Sequence, residues 1–141
     1  PEPMLPPPPP PPSASEGRCR SGGAAIALGC GSAPVSAFTA AALGWEVLCT
    51  DLEEVLPLTR RNAHLNAEAL DAALAALGTS ARQPSVGRAV DRIAFEPLPF
   101  GMPLSEPVRR WIAARGGAKL VLCSDCIWQA RRHRVLAATL A

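Results

Sequence analysis

Residues 27–38, ALGCGSAPVSAF, break an apolar run with a Gly29-Cys30-Gly31 turn and then resume apolar positions at helical spacing. Glycines lack Cβ, so such a turn can take positive φ and let a ligand approach its amides. Twenty residues beyond Gly31, Asp51 closes a second apolar run. Nucleotide-binding α/β sites place a carboxylate at about that distance to accept ribose hydroxyls. Gly29, Gly31 and Asp51 thus describe a pocket for an adenosine-containing cofactor. Asp51 and Glu54 also fit a helix N-cap with its acidic partner three residues on, and the spacing leaves both roles open.

Pro34 bears on which cofactor. A dinucleotide site wants glycine or alanine there, where the pyrophosphate meets free helix amides, and proline removes one of those amides. A ligand without a pyrophosphate loses less, which favours S-adenosyl-L-methionine over a nicotinamide cofactor.

A second group lies at Cys123, Ser124, Asp125, Cys126 and Trp128. Asp125, at the end of an apolar run, could orient an amine through a hydrogen bond, with Trp128 flanking a cationic transition state. Its competing role is a cap on the helix that follows. The C-x-x-C of Cys123 and Cys126 has the spacing of a redox pair or half a zinc site. Cys30 and Cys49 fall at the ends of other strands, but alternating strand geometry points neighbours to opposite faces. No metal is expected, and the cysteines read as small buried hydrophobes. His64 and His133 lie on arginine-containing helices and should face water.

These residues need elements to position them. AAIAL is a wholly apolar run ending in glycines, as a strand buried on both faces would be. Val35, Phe38, Ala42 and Leu43 form an apolar helical stripe that Gly44 stops. WEVLCT is a second strand, and DLEEVLPLTRRNAHLN a helix with acidic residues in its first turn, which Pro57 kinks or starts late. Residues 67–77 favour more helix. GTSARQPSVG reads as a surface loop, RAVDRIAF as a third strand, EPVRRWIAAR as a short helix, KLVLCSD as a fourth strand and QARRHRVLAATLA as a final helix. Alternating elements of this length imply parallel strands and a doubly wound α/β fold.

The sequence also resembles a known family. Leu28 to Ala33, Gly44 to Val47, Thr50 with Asp51, Leu56 to Leu58, and Asn62 with Asn66 resemble the first half of the seven-strand S-adenosylmethionine-dependent methyltransferases. Within them the chain is most similar to the non-histone protein-lysine methyltransferases of the methyltransferase family 16 type. Asp125 to Trp128 resembles that family's Asp-x-x-Tyr, with tryptophan for tyrosine. Ala27 stands where an acid is usual, and Ala33 where a third glycine is. The resemblance implies a Rossmann-like, mostly parallel sheet with about four of the usual seven strands. It implies S-adenosyl-L-methionine as cofactor and a protein substrate with a target lysine. By the same resemblance Gly29, Cys30 and Gly31 line the methionyl part, Asp51 binds the ribose, Asp91, taken to follow the third strand, meets the adenine, and Leu52 belongs to the cofactor-binding set. Ser124 joins the cofactor-binding set, and Asp125 and Trp128 the catalytic one.

The chain has 141 residues and a formal net charge of +2. That charge is too near balance to predict a nucleic-acid partner, and no apolar run is long enough to cross a bilayer. Residues 1–22 read as a proline-rich extended tail and linker, and 23–141 as a partial methyltransferase domain. The tail is expected to act as a flexible spacer first and as a ligand for an SH3, WW or profilin-like groove second. Five cysteines without small-domain disulfide spacing suit a reducing compartment, the cytoplasm or the nucleus. Two functions remain in contention: a lysine methyltransferase represented by part of its domain, and a non-catalytic, decayed methyltransferase half that binds protein.

Overall fold

A computed structural model describes residues 23–76, 88–126 and 133–140. The proline-rich tail and linker, the loop expected at 78–87, Trp128 and the start of the final helix lie outside the described residues.

The chain runs β1 (Ala24–Leu28), α1 (Val35–Ala42), β2 (Glu46–Asp51), α2 (Leu56–Leu65) and α3 (Ala67–Ala76), then a 3-10 turn (Ala89–Arg92). It continues as β3 (Ile93–Pro97), α4 (Glu106–Ala113), β4 (Ala118–Cys123) and α5 (His133–Leu140). The strands form one sheet in the order β3-β2-β1-β4, and every pairing is parallel. This is the expected α/β, Rossmann-like arrangement. The strand order reverses between β1, which pairs with β2 on one side, and β4 on the other.

Helices cover both faces. Ala25 and Ala27 of β1, with Val47 and Cys49 of β2, pack against Ala37, Phe38 and Ala41 of α1 and Leu70 of α3. Ile26, Leu28 and Leu48 point the other way, toward Val108 of α4 and Leu136 of α5. Side chains alternate across a strand, so a strand covered on both sides must be apolar throughout, as AAIAL is. Burying a residue such as Val47 or Leu48 contributes about 1.5–3 kcal/mol. Alanines bring α1 close to the sheet, and its buried stripe runs through residues 37–42. Val35, expected in that stripe, is 69% exposed. Among the described residues, no helix is long and apolar enough to cross a membrane.

Two boundaries differ from those the sequence suggests. Helix α2 starts at Leu56 with Pro57 in its first turn, where a missing amide proton costs nothing, so Asp51, Glu53 and Glu54 precede it. Its N-cap, Val55, makes no side-chain cap bond, so Asp51 and Glu54 form no capping box. The third strand begins at Ile93, not Arg88. Asp71 of α3 accepts the Ala89 amide at 2.7 Å and the Arg88 Nε at 3.2 Å, which ties residues 88–92 to the helix layer. In β4, an edge strand, Leu120 and Leu122 are half-buried while Lys119, Val121 and Cys123 are exposed.

Candidate functional site at the carboxyl ends of the strands

The Gly29–Gly31 turn leaves β1 at the strand-order reversal. Gly29 has φ +56° and Gly31 φ +66°, the left-handed region where a side chain is strained. The two glycines face different surroundings. A Cβ on Gly29 would lie 2.8 Å from Phe100 Cζ and 3.2 Å from Cys126 Sγ, whereas one on Gly31 would meet nothing within 4 Å. Gly29 is therefore required by protein packing as well as by φ, and Gly31 borders open space.

Asp51, the last residue of β2, reaches across to that turn. Its Oδ2 accepts the Gly31 amide at 2.7 Å and its Oδ1 accepts the Leu52 amide at 2.7 Å. The Cys30 amide donates to Thr50 O at 3.0 Å, extending the β1–β2 pairing into the turn. Helix α2 grips the turn from the far side. The Thr59 hydroxyl donates to Gly31 O at 2.8 Å and Asn62 Nδ2 to Ser32 O at 2.8 Å. The turn's conformation is thus fixed by side chains from two later elements.

Two cavities border it. One, of about 170 Å³, is lined by Gly29, Asp51, Leu52, Leu98, Phe100 and Asp125, among others. The other, of about 420 Å³, lies over Gly29, Cys30, Gly31 and Pro34 and reaches Ser124 and Asp125. Gly29 and Asp125 belong to both. Asp125 is exposed and has φ +58°, the only non-glycine in the left-handed region among the described residues.

Gly29, Cys30, Gly31, Asp51, Leu52, Ser124 and Asp125 are therefore brought together. Asp91 is not. It sits in the 3-10 turn before Ile93, and in a parallel sheet the start of β3 lies at the end opposite the carboxyl termini. Its expected place after the third strand is corrected, because that strand begins and ends later than the sequence suggests. Leu98, Pro99 and Phe100 follow β3 instead, so an aromatic ring and no acid occupies that position. Trp128 lies outside the described residues, and so does the start of the helix that Asp125 was expected to cap.

Sequence reasoning missed Thr59 and Phe100 and gave Asn62 no role. Thr59 and Asn62 stand three apart on one helical face, so both reach the turn's carbonyls. Phe100 would have been found had the third strand been placed over residues 93–97.

The thiols form two neighbouring pairs. Cys49 is raised above its ordinary range, first by a hydrogen bond with the Cys30 thiol and then by burial. Cys126 is pushed up to about 12, first by burial, then by hydrogen bonding with Cys123 and by the negative charges of Cys123, Asp51 and Asp125. No group of three or more His, Cys, Asp or Glu side chains suited to a metal ion occurs among the described residues.

Compared with protein-family models, the sequence matches none, and comparison with curated proteins likewise finds no match.

Proposed function

We propose that the crevice around the Gly29–Gly31 turn binds S-adenosyl-L-methionine and that the domain serves methyl transfer to a protein lysine. The observation that carries this reading is the Asp51 carboxylate bridging to the Gly31 amide at 2.7 Å, beside the point where the strand order reverses. Each carboxylate oxygen has a further lone pair to offer a ribose hydroxyl. The open space beside Gly31 admits the methionyl portion against the backbone. The start of α1 argues against a pyrophosphate ligand. Pro34 has no amide, and the Val35 amide is already given to Ala33 O at 2.9 Å.

The cofactor supplies an electrophilic methyl group on a sulfonium. The protein must align an acceptor amine with it and keep that amine neutral, since a free lysine with a pKa of about 10.4 is almost wholly protonated near pH 7. Asp125, which lines both cavities, would orient the amine by accepting one of its hydrogens.

A second reading has its own support. The Phe100 ring stands against Gly29 and narrows the smaller cavity to about 170 Å³, below the usual size of a small-molecule site. That favours a non-catalytic domain that kept the fold and binds protein. Calorimetric titration of the full chain with S-adenosylhomocysteine separates the two. Saturable binding that Asp51→Ala abolishes supports the first, and absence of heat from a folded chain overturns it.

A further inference from the structure

The Cys123–Cys126 segment has geometry that cofactor binding does not call for. Cys123 ends β4 and pairs in register with Leu28. The chain bends at Ser124 and Asp125 and brings Cys126 back to the same residue, with Cys126 Sγ 3.0 Å from Leu28 O and 3.4 Å from Ser124 O. Both cysteines thus converge on one strand end. The bend at its two central residues turns this C-x-x-C back on itself, with the spacing that redox pairs use. The left-handed Asp125 makes the bend tight.

Exposure divides the pair into two roles. Cys123 is exposed, while Cys126 is 8% exposed, behind it and against Gly29. A reactive disulfide in solution meets the exposed Cys123 first, and the buried Cys126 is its partner in the C-x-x-C. Cys30 and Cys49 are also neighbours, but Cys49 has no exposed surface.

We propose that Cys123 and Cys126 are a redox modification site, closing to an intramolecular disulfide by exchange with a small-molecule disulfide of the oxidised-glutathione class. The Cys123 thiolate attacks one sulfur of the glutathione disulfide, forming a mixed disulfide and releasing one glutathione thiolate. The Cys126 thiolate then attacks the Cys123 sulfur and releases the second. The protein loses two thiol protons and two electrons, and glutathione disulfide takes them up as two thiols. Formation of the mixed disulfide removes one of the negative charges that hold Cys126 protonated, which eases the second step. The closed ring encloses Ser124 and Asp125, so oxidation fixes the two residues that this loop contributes to the crevice wall.

The test equilibrates the full chain in glutathione buffers of graded oxidation, blocks free thiols with a maleimide and maps the tryptic peptide 120–131 by mass spectrometry. The expected result is a fall from two maleimide labels to none, with loss of two hydrogens, reversed by reduction. Cys126→Ser should stop at a glutathione adduct on Cys123, and Cys30→Ser should behave as the parent chain. Should Cys126→Ser not fold, the parent chain's peptide alone decides. Two labels at every ratio, a persistent glutathione adduct in the parent chain, or a cross-link from this peptide to Cys19, Cys30 or Cys49 would each overturn the proposal.

Discussion

Thr59 donates its hydroxyl to Gly31 O at 2.8 Å, so the second crossover helix holds the carbonyl of the same residue whose amide Asp51 holds. Thr59 is wholly buried, and its shape would be kept by valine while its donor is lost. Removing one partner from a buried hydrogen bond costs about 1–3 kcal/mol. Thr59→Val is expected to lower unfolding stability by about that amount in urea denaturation followed by tryptophan fluorescence. An unchanged midpoint would mean the turn keeps its conformation without α2.

The two glycines of the turn should respond differently to a methyl group. Both have positive φ, and a left-handed alanine costs about 1–2 kcal/mol. Gly29→Ala adds a clash with Phe100 Cζ at 2.8 Å, whereas the Gly31 methyl enters open space. Gly29→Ala should therefore be the more destabilising, and Phe100→Leu should restore part of its loss. A double-mutant cycle measures this, with a coupling of about 1 kcal/mol expected. Additive effects would place the ring elsewhere in solution. Gly31→Ala should cost little beyond its backbone strain yet weaken S-adenosylhomocysteine binding.

Much of the fold was legible because the two central strands, β1 and β2, are buried on both faces. AAIAL and the VLC of the second strand are unbroken apolar runs, and Gly29, Gly31 and Asp51 mark strand ends by residue type. The third strand was not legible in the same way. AVDRIAF mixes an apolar pair, Ala89 and Val90, that packs with α3 in a 3-10 turn with the pair that opens β3. Tertiary contacts separate them, among them the bond that the Ala89 amide donates to Asp71. The error in that boundary moved Asp91 from one end of the sheet to the other. Thr59 and Asn62 were hidden for a related reason, since their bonds are to backbone carbonyls, which leave no signature in the sequence.

Asp91 provides a direct check on that correction. It is exposed at the amino end of β3, while Asp51 is at the carboxyl end of β2. Asp91→Asn is expected to leave S-adenosylhomocysteine affinity unchanged in calorimetry. Asp51→Asn removes a charged acceptor and should weaken it by about tenfold or more, the effect of losing a charge-assisted hydrogen bond. Weakening by Asp91→Asn alone would overturn the assignment of the proposed cofactor site to the carboxyl ends of the strands.

Alkaline pH should unfold the domain through its buried thiols. Cys126 holds its proton up to about 12 when folded, against a reference value of 9.0. Burial contributes most, and Cys123, Asp51 and Asp125 repel a thiolate there. Above about pH 9 the unfolded chain releases the proton while the folded chain keeps it, so the unfolded state binds fewer protons and stability falls as pH rises. The loss should run from about pH 9 toward pH 12, with Cys49 adding in the same direction. Below pH 9 the thiols contribute no slope. Cys126→Ser removes one ionising group and should flatten the decline in urea midpoints measured at pH 8, 9 and 10. An equally steep decline in that variant would assign the alkaline sensitivity to another group.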